Sequence, residues 1–124
     1  MTAGDLAGIE SVLGLKLPAS YRAAMLAYPL NRADANSQIA LQDDAKAVTA
    51  FNRFLREEFS EDWRPGYFAI GNSPCGDPYF LDLSSGSPAG WSWSHETHEV
   101  AQEAPDFAGW LAMQRSLEAG SPND

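Results

Sequence analysis

The apolar residues of this chain change their spacing once, at Arg64, Pro65 and Gly66, and that change constrains the fold more than any other feature. Before it they recur every three or four residues, the period of an α-helix. After it they alternate, the period of a β-strand. Helices followed by closely spaced strands predict an α+β fold, with helices packed on an antiparallel meander, because short links between strands favour hairpins over crossovers.

The helical part divides at its caps. Thr2 and Asp5 fit a capping box ahead of Leu6, Ile9 and Leu13, although Asp is a shorter partner than the usual Glu. Gly14 suits the left-handed residue that closes a helix, and Pro18 suits the first position of a second one. Tyr21, Met25 and Tyr28 form the stripe of that helix, which Pro29 stops. A polar loop is expected over 31–37 and a short strand from Gln38 to Leu41. Asp43 and Asp44 can cap the longest helix, which runs to about Phe59 with Val48, Phe51, Leu55 and Phe59 on one face.

Beyond Gly66, three strands are expected, from Tyr67 to Gly71, Tyr79 to Leu83 and Gly90 to Ser94. The stretches between them are dense in Gly, Pro, Asn, Asp and Ser, the residues that turn a chain. Pro105 and Asp106 open a last helix carrying Phe107, Trp110, Leu111 and Leu117, and the chain from about 115 to 124 reads as its end and a frayed tail.

Size and charge limit the function. At 124 residues, one domain spanning 1–124 leaves no room for separate cofactor and substrate halves, and 44% apolar residues suffice for a core without disulfides or metal. Seventeen acidic against eight basic side chains give a formal net charge of -9, which argues against nucleic acid and anionic membrane as partners. The excess is uneven: residues 66–124 hold Arg115 alone against eight carboxylates. Solubility is the plain explanation of such a surface, and attraction for a basic partner is the functional one. The single cysteine, Cys75, cannot form an internal disulfide, and no secretory signal or membrane span is visible, so a cytoplasmic protein is expected. The sequence leaves the oligomeric state open.

No catalytic constellation assembles from the spacing. His95 and His98 stand three apart rather than the four of the zinc-protease helix, so no metal site is expected and they read as polar residues at a strand end. Cys75 has acidic neighbours, which disfavour a thiolate nucleophile, and the loop from Gly71 to Gly76 lacks the lysine of a phosphate cradle. Asp77 and Asp82 are a carboxylate pair without the long loops that a glycosidase cleft requires. Trp91 and Trp93 alternate and therefore share one sheet face, either as core under a helix or as an exposed aromatic pair in a binding surface. The expected protein is a non-enzymatic binding module without a cofactor.

Several segments in order resemble the SUKH superfamily, which includes a yeast cell-wall assembly regulator and many bacterial immunity proteins. Glu10 to Pro18 followed by Tyr21 is similar to its opening, where a helix carrying Glu ends at Leu-Gly and Leu-Pro starts the next. Phe68 to Gly71, Cys75 to Asp77 and Tyr79 to Asp82 resemble its central strand pair, Trp91 to His95 its following strand, and Ala104 to Phe107 with Trp110 and Leu111 its terminal helix. Asn31 and Arg32 depart from the Asn-Gly usual after the second helix. The resemblance implies a cytoplasmic immunity protein that neutralises a toxin, such as a nuclease, by occluding its site; the alternative it implies is a regulatory or scaffold domain. A nuclease needs a basic cleft, so Asp77, Asp82, Glu96, Glu99 and Glu103, with Trp91 and Trp93, are the candidate partner-binding residues.

Overall fold

The computed structural model describes residues 1–27, 42, 44–73, 76–85 and 87–118. The expected end of the second helix at Tyr28 and Pro29, the loop at 31–37, the strand at 38–41, Asp43, Cys75, the side chain of Leu117 and the tail from Gly120 lie outside what is described.

Local capping sets the helix ends. In α1 (Ala3–Leu13) the capping box closes with the short Asp: Asp5 N donates to Thr2 Oγ1 at 3.0 Å and Thr2 N to Asp5 Oδ2 at 2.9 Å. Gly14 ends the helix at φ 67°, a left-handed conformation that a side chain would strain. The Glu10 carboxylate then straps the link to the next helix, accepting from Leu17 N at 2.8 Å and pairing with Arg22 at 3.0 Å. That backbone bond, with Arg22 beside it, holds Glu10 below the usual carboxylate range. Pro18 precedes α2 (Ala19–Ala27) directly and its carbonyl takes the Arg22 N–H, so it is the cap rather than the first helical residue. Asp44 caps α3 (Ala45–Glu58), its Oδ2 accepting from Ala47 N at 2.9 Å.

The sheet is an antiparallel meander of four strands in sequence order, β1 (Tyr67–Asn72), β2 (Pro78–Asp82), β3 (Gly90–Trp93) and β4 (Val100–Ala104). β4 is one strand more than the sequence predicts. Its residues, Val, Ala, Gln, Glu and Ala, hold a single β-branched side chain and no apolar alternation, so the pairing edge of β3 supplies what local propensity lacks. A register shift opposite Gly90 and Trp91 leaves Glu103 as the extra residue of a bulge. The last helix, α4 (Phe107–Glu118), starts at Asp106, whose carboxylate accepts from Gly109 N at 2.6 Å.

Strand alternation sorts the core into two clusters. Phe68, Ile70 and Leu81 face one side and pack with Leu6, Ile9 and Leu13 of α1, Tyr21 and Met25 of α2, and Phe107 and Trp110 of α4. Tyr21 meets Phe68 and Phe107 edge to face, and burial pushes its phenol above the ordinary range. Tyr67, Ala69, Phe80 and Trp93 face the other side and pack with Leu55 and Trp63, while Phe51, Phe59 and Trp91 are partly buried there. Helix α3 joins the clusters, with Val48 in the first and Leu55 in the second. Its expected single stripe is therefore divided between two faces of the sheet.

Between those two residues Asn52 meets the free edge of β1. Its Oδ1 accepts from Ala69 N at 2.7 Å and its Nδ2 donates to Ala69 O at 3.0 Å, with a further bond to Val48 O. Gln42 N donates to Ile70 O on the same edge. An edge strand offers unpaired amides to any other strand, and here one buried side-chain amide completes the pairing at Ala69.

Candidate functional site

The turn from β3 to β4 carries Glu96 and Glu99 and is tied by two histidines to acidic residues of two other segments. His98 N donates to Ser94 O and Ser94 N to Glu99 O, while the Ser94 hydroxyl accepts from Glu96 N and Thr97 N. These bonds close a tight loop in which His98 takes φ 62°, a left-handed value rare outside glycine. Two contacts hold it there: the ring stacks on Trp93 at 4.6 Å between centroids, and Nδ1 lies 2.5 Å from Asp62 Oδ2. The histidine thus ties the turn to the C-terminal end of α3.

His95 makes the matching tie to the β1–β2 turn. Its backbone N–H donates to Asp77 Oδ1 at 3.1 Å and its Nδ1 lies 2.5 Å from the same oxygen. The bond from the His95 backbone, then that from its ring, lowers the Asp77 carboxyl below its usual value. A lowered folded value means that this link is complete above the ordinary aspartate pKa of about 4 and is lost as pH falls through the folded one. Acid titration followed by NMR is therefore expected to release the His95 amide at a lower pH than the ordinary aspartate value. Release at or above that value would contradict the geometry.

Around this turn stand Asp77, Glu96 and Glu99, three of the residues singled out by sequence, together with Glu58 at the end of α3 and Glu61 and Asp62 in the turn after it, which sequence reasoning did not select. Glu58, Glu61 and Asp62 line a depression of about 250 Å³ with Phe59 and His98. Distance in the chain conceals them: they belong to the first 65 residues, where nine acidic side chains stand against seven basic ones, and reach the turn only through the fold. Glu96 and Glu99 are exposed, and Asp77 is partly so.

The other candidates are placed elsewhere. Asp82 sits at the far end of β2, where its Oδ1 accepts from the Ser84 N–H and hydroxyl. Glu103, the bulge residue, accepts from Ser92 Oγ at 2.8 Å. Trp91 and Trp93 share a face as alternation requires, but Trp93 is 1% exposed and surrounded by Phe59, Trp63 and His98, whereas Trp91 is half-buried at the border of the same cluster. Next to Trp91, β4 carries Gln102 in register with it, and Val100, 45% exposed, opposite Trp93.

Each histidine ring meets one carboxylate, and among the described residues no three His, Cys, Asp or Glu side chains converge to hold a metal ion. A His–Asp pair becomes a catalytic dyad when a nucleophile stands at the other ring nitrogen. Among the described residues neither ring is bonded to a hydroxyl. Among them, too, no helix is long and apolar enough to cross a membrane.

A four-stranded antiparallel meander packed against helices and carrying a carboxylate-rich turn defines an α+β domain. The chain belongs to the SMI1 / KNR4 family (SUKH-1), whose sequence pattern matches residues 1–113. The matched region takes in all four strands and most of α4. No curated protein and no solved structure matches the chain significantly.

Proposed function

We propose that this SUKH-1 chain is a cytoplasmic immunity protein that binds a toxin domain and neutralises it by covering its active cleft, with no chemistry of its own. The observation that carries this reading is the gathering of Glu58, Glu61, Asp62, Asp77, Glu96 and Glu99 from three separate segments around one turn. Carboxylates held this way form a patch whose potential reaches beyond the surface and steers a basic partner to it. A nuclease is such a partner, because the cleft that holds phosphates must be lined with Lys and Arg. Trp91 supplies an aromatic anchor beside the patch, and Trp93 supports the turn from beneath.

Co-expression with toxin domains, beginning with any that a neighbouring gene encodes, tests the proposal. Protection of the host by the native chain, lost when Glu58, Glu61, Glu96 and Glu99 are all changed to Gln, is the expected result. A regulatory or scaffold role predicts instead that the native chain protects against no neighbouring toxin and retains housekeeping proteins on purification.

A further inference from the structure

A second concave surface lies between α1 and α3 and has the opposite electrostatic character. It is a groove of about 440 Å³ with Ile9 at its base, Gly8 and Val12 along one wall, and Lys46, Ala50 and Arg53 along the other. Arg56 donates to Leu13 O at 2.8 Å and so holds the last turns of the two helices together at one end. Val12 is 55% exposed despite being aliphatic.

Lys46 and Arg53 are seven positions apart, two turns of α3, and project on the same side about 10 Å from each other along the axis. Among the described residues neither forms an ion pair or a hydrogen bond. The one carboxylate lining the groove, Asp5, is occupied by the α1 capping box. In a chain of net charge -9, this groove thus carries two cations against one carboxylate.

The glycines of α1 bear on what the trough is for. A Cβ at Gly8 would meet nothing within 4 Å, and one at Gly4 only the Thr2 hydroxyl at 3.7 Å. Packing within the chain therefore requires neither, although each glycine in a helix interior costs about 1 kcal/mol relative to alanine. Their effect is to keep the wall low enough for another backbone to approach closely.

We propose that this groove binds an acidic amphipathic helix of a partner protein, seated as a third helix against α1 and α3. Its small and apolar residues would rest on Ile9 and Val12, and two carboxylates seven residues apart would meet Lys46 and Arg53. Charge selects this occupant. A second copy docked by the same face across a two-fold axis would set four cations against two carboxylates, and a basic helix would be repelled by Lys46 and Arg53.

The test is an NMR titration of the full chain with a capped helical peptide of about 18 residues, built of Ala, Leu and Gln with two Glu seven apart on its apolar face. The control peptide carries Lys at those two positions. The Glu peptide is expected to shift amides of residues 4–12 and 45–53, and to bind about tenfold or more tightly than the Lys peptide. Changing Lys46 and Arg53 together to Glu should invert that preference. Gly8→Leu should fill the groove and abolish the shifts while leaving the thermal midpoint unchanged or raised. Equal binding of both peptides, shifts elsewhere, no shifts at millimolar peptide, or binding that survives Gly8→Leu would overturn the proposal. Concentration-dependent shifts of the same residues without peptide would also overturn it, in favour of a second copy.

Discussion

Asn52→Leu is expected to lower the unfolding free energy by about 3 kcal/mol, the cost of leaving a buried amide and a buried carbonyl without partners. Leucine keeps the branched heavy-atom skeleton of asparagine and has a better helix propensity, so neither a cavity nor a weakened α3 explains such a loss. What disappears is the pair of bonds from Asn52 to Ala69 at 2.7 and 3.0 Å, in a side chain that is 0% exposed. Asn52→Asp separates the two halves of the argument. A carboxylate still accepts from Ala69 N but turns an oxygen towards Ala69 O, whereas the protonated acid restores a donor. Burial favours that neutral form in the folded protein, so the deficit of this variant relative to the native chain should shrink as pH is lowered. Chemical denaturation of both variants between neutral and mildly acidic pH measures the effect. A leucine variant as stable as the native protein would show that the β1 edge does not depend on Asn52.

The second large effect is expected from Trp93→Ala, at about 3–5 kcal/mol for truncating a large core aromatic. Trp93 lies against Phe59 at 4.8 Å and Trp63 at 5.6 Å between ring centroids, and His98 stacks on it at 4.6 Å. The substitution therefore opens the second cluster and removes the platform beneath the acidic turn. Trp91→Ala, at the partly exposed border of the same cluster, should cost less, about 2 kcal/mol, because part of its surface already faces solvent in the folded protein. Thermal unfolding of the pair is the measurement. Equal losses would mean that the two tryptophans occupy equivalent environments, contrary to the structure.

Sequence periodicity carried most of the fold because caps and alternation are local. Thr2, Gly14 and Asp44 act at helix ends through bonds spanning a few residues, and the spacing of Tyr67 to Gly71 and Tyr79 to Leu83 already divides inside from outside. β4 was not legible, since Val100 to Ala104 become a strand by pairing with β3 rather than by their own preference. Asn52 was not legible either: a polar residue in a helix gives no sign that a strand edge lies against it.

The candidate site divides in the same way. Glu96 and Glu99 flank a turn that charge counting already favoured, but Glu58, Glu61 and Asp62 reach that turn only because α3 lies along the β1 edge and His98 bonds to Asp62. Conversely, Asp82 and Glu103 are close to the others in sequence yet are directed to Ser84 and Ser92. Charge per segment measures how much acid is present, and only the topology determines which carboxylates share a surface.

On the function proposed above, the carboxylates around the β3–β4 turn steer a basic toxin domain to this protein. Stopped-flow association of the native chain with that domain, measured from about 0.05 M to about 0.5 M salt, tests it most directly, because screening shortens the reach of such charges to a few ångströms. The association rate is expected to fall about tenfold or more over this range, and a variant with Glu58, Glu61, Glu96 and Glu99 changed to Gln is expected to associate slowly at every salt concentration. An equal rate at low and high salt, unchanged in the variant, would contradict it.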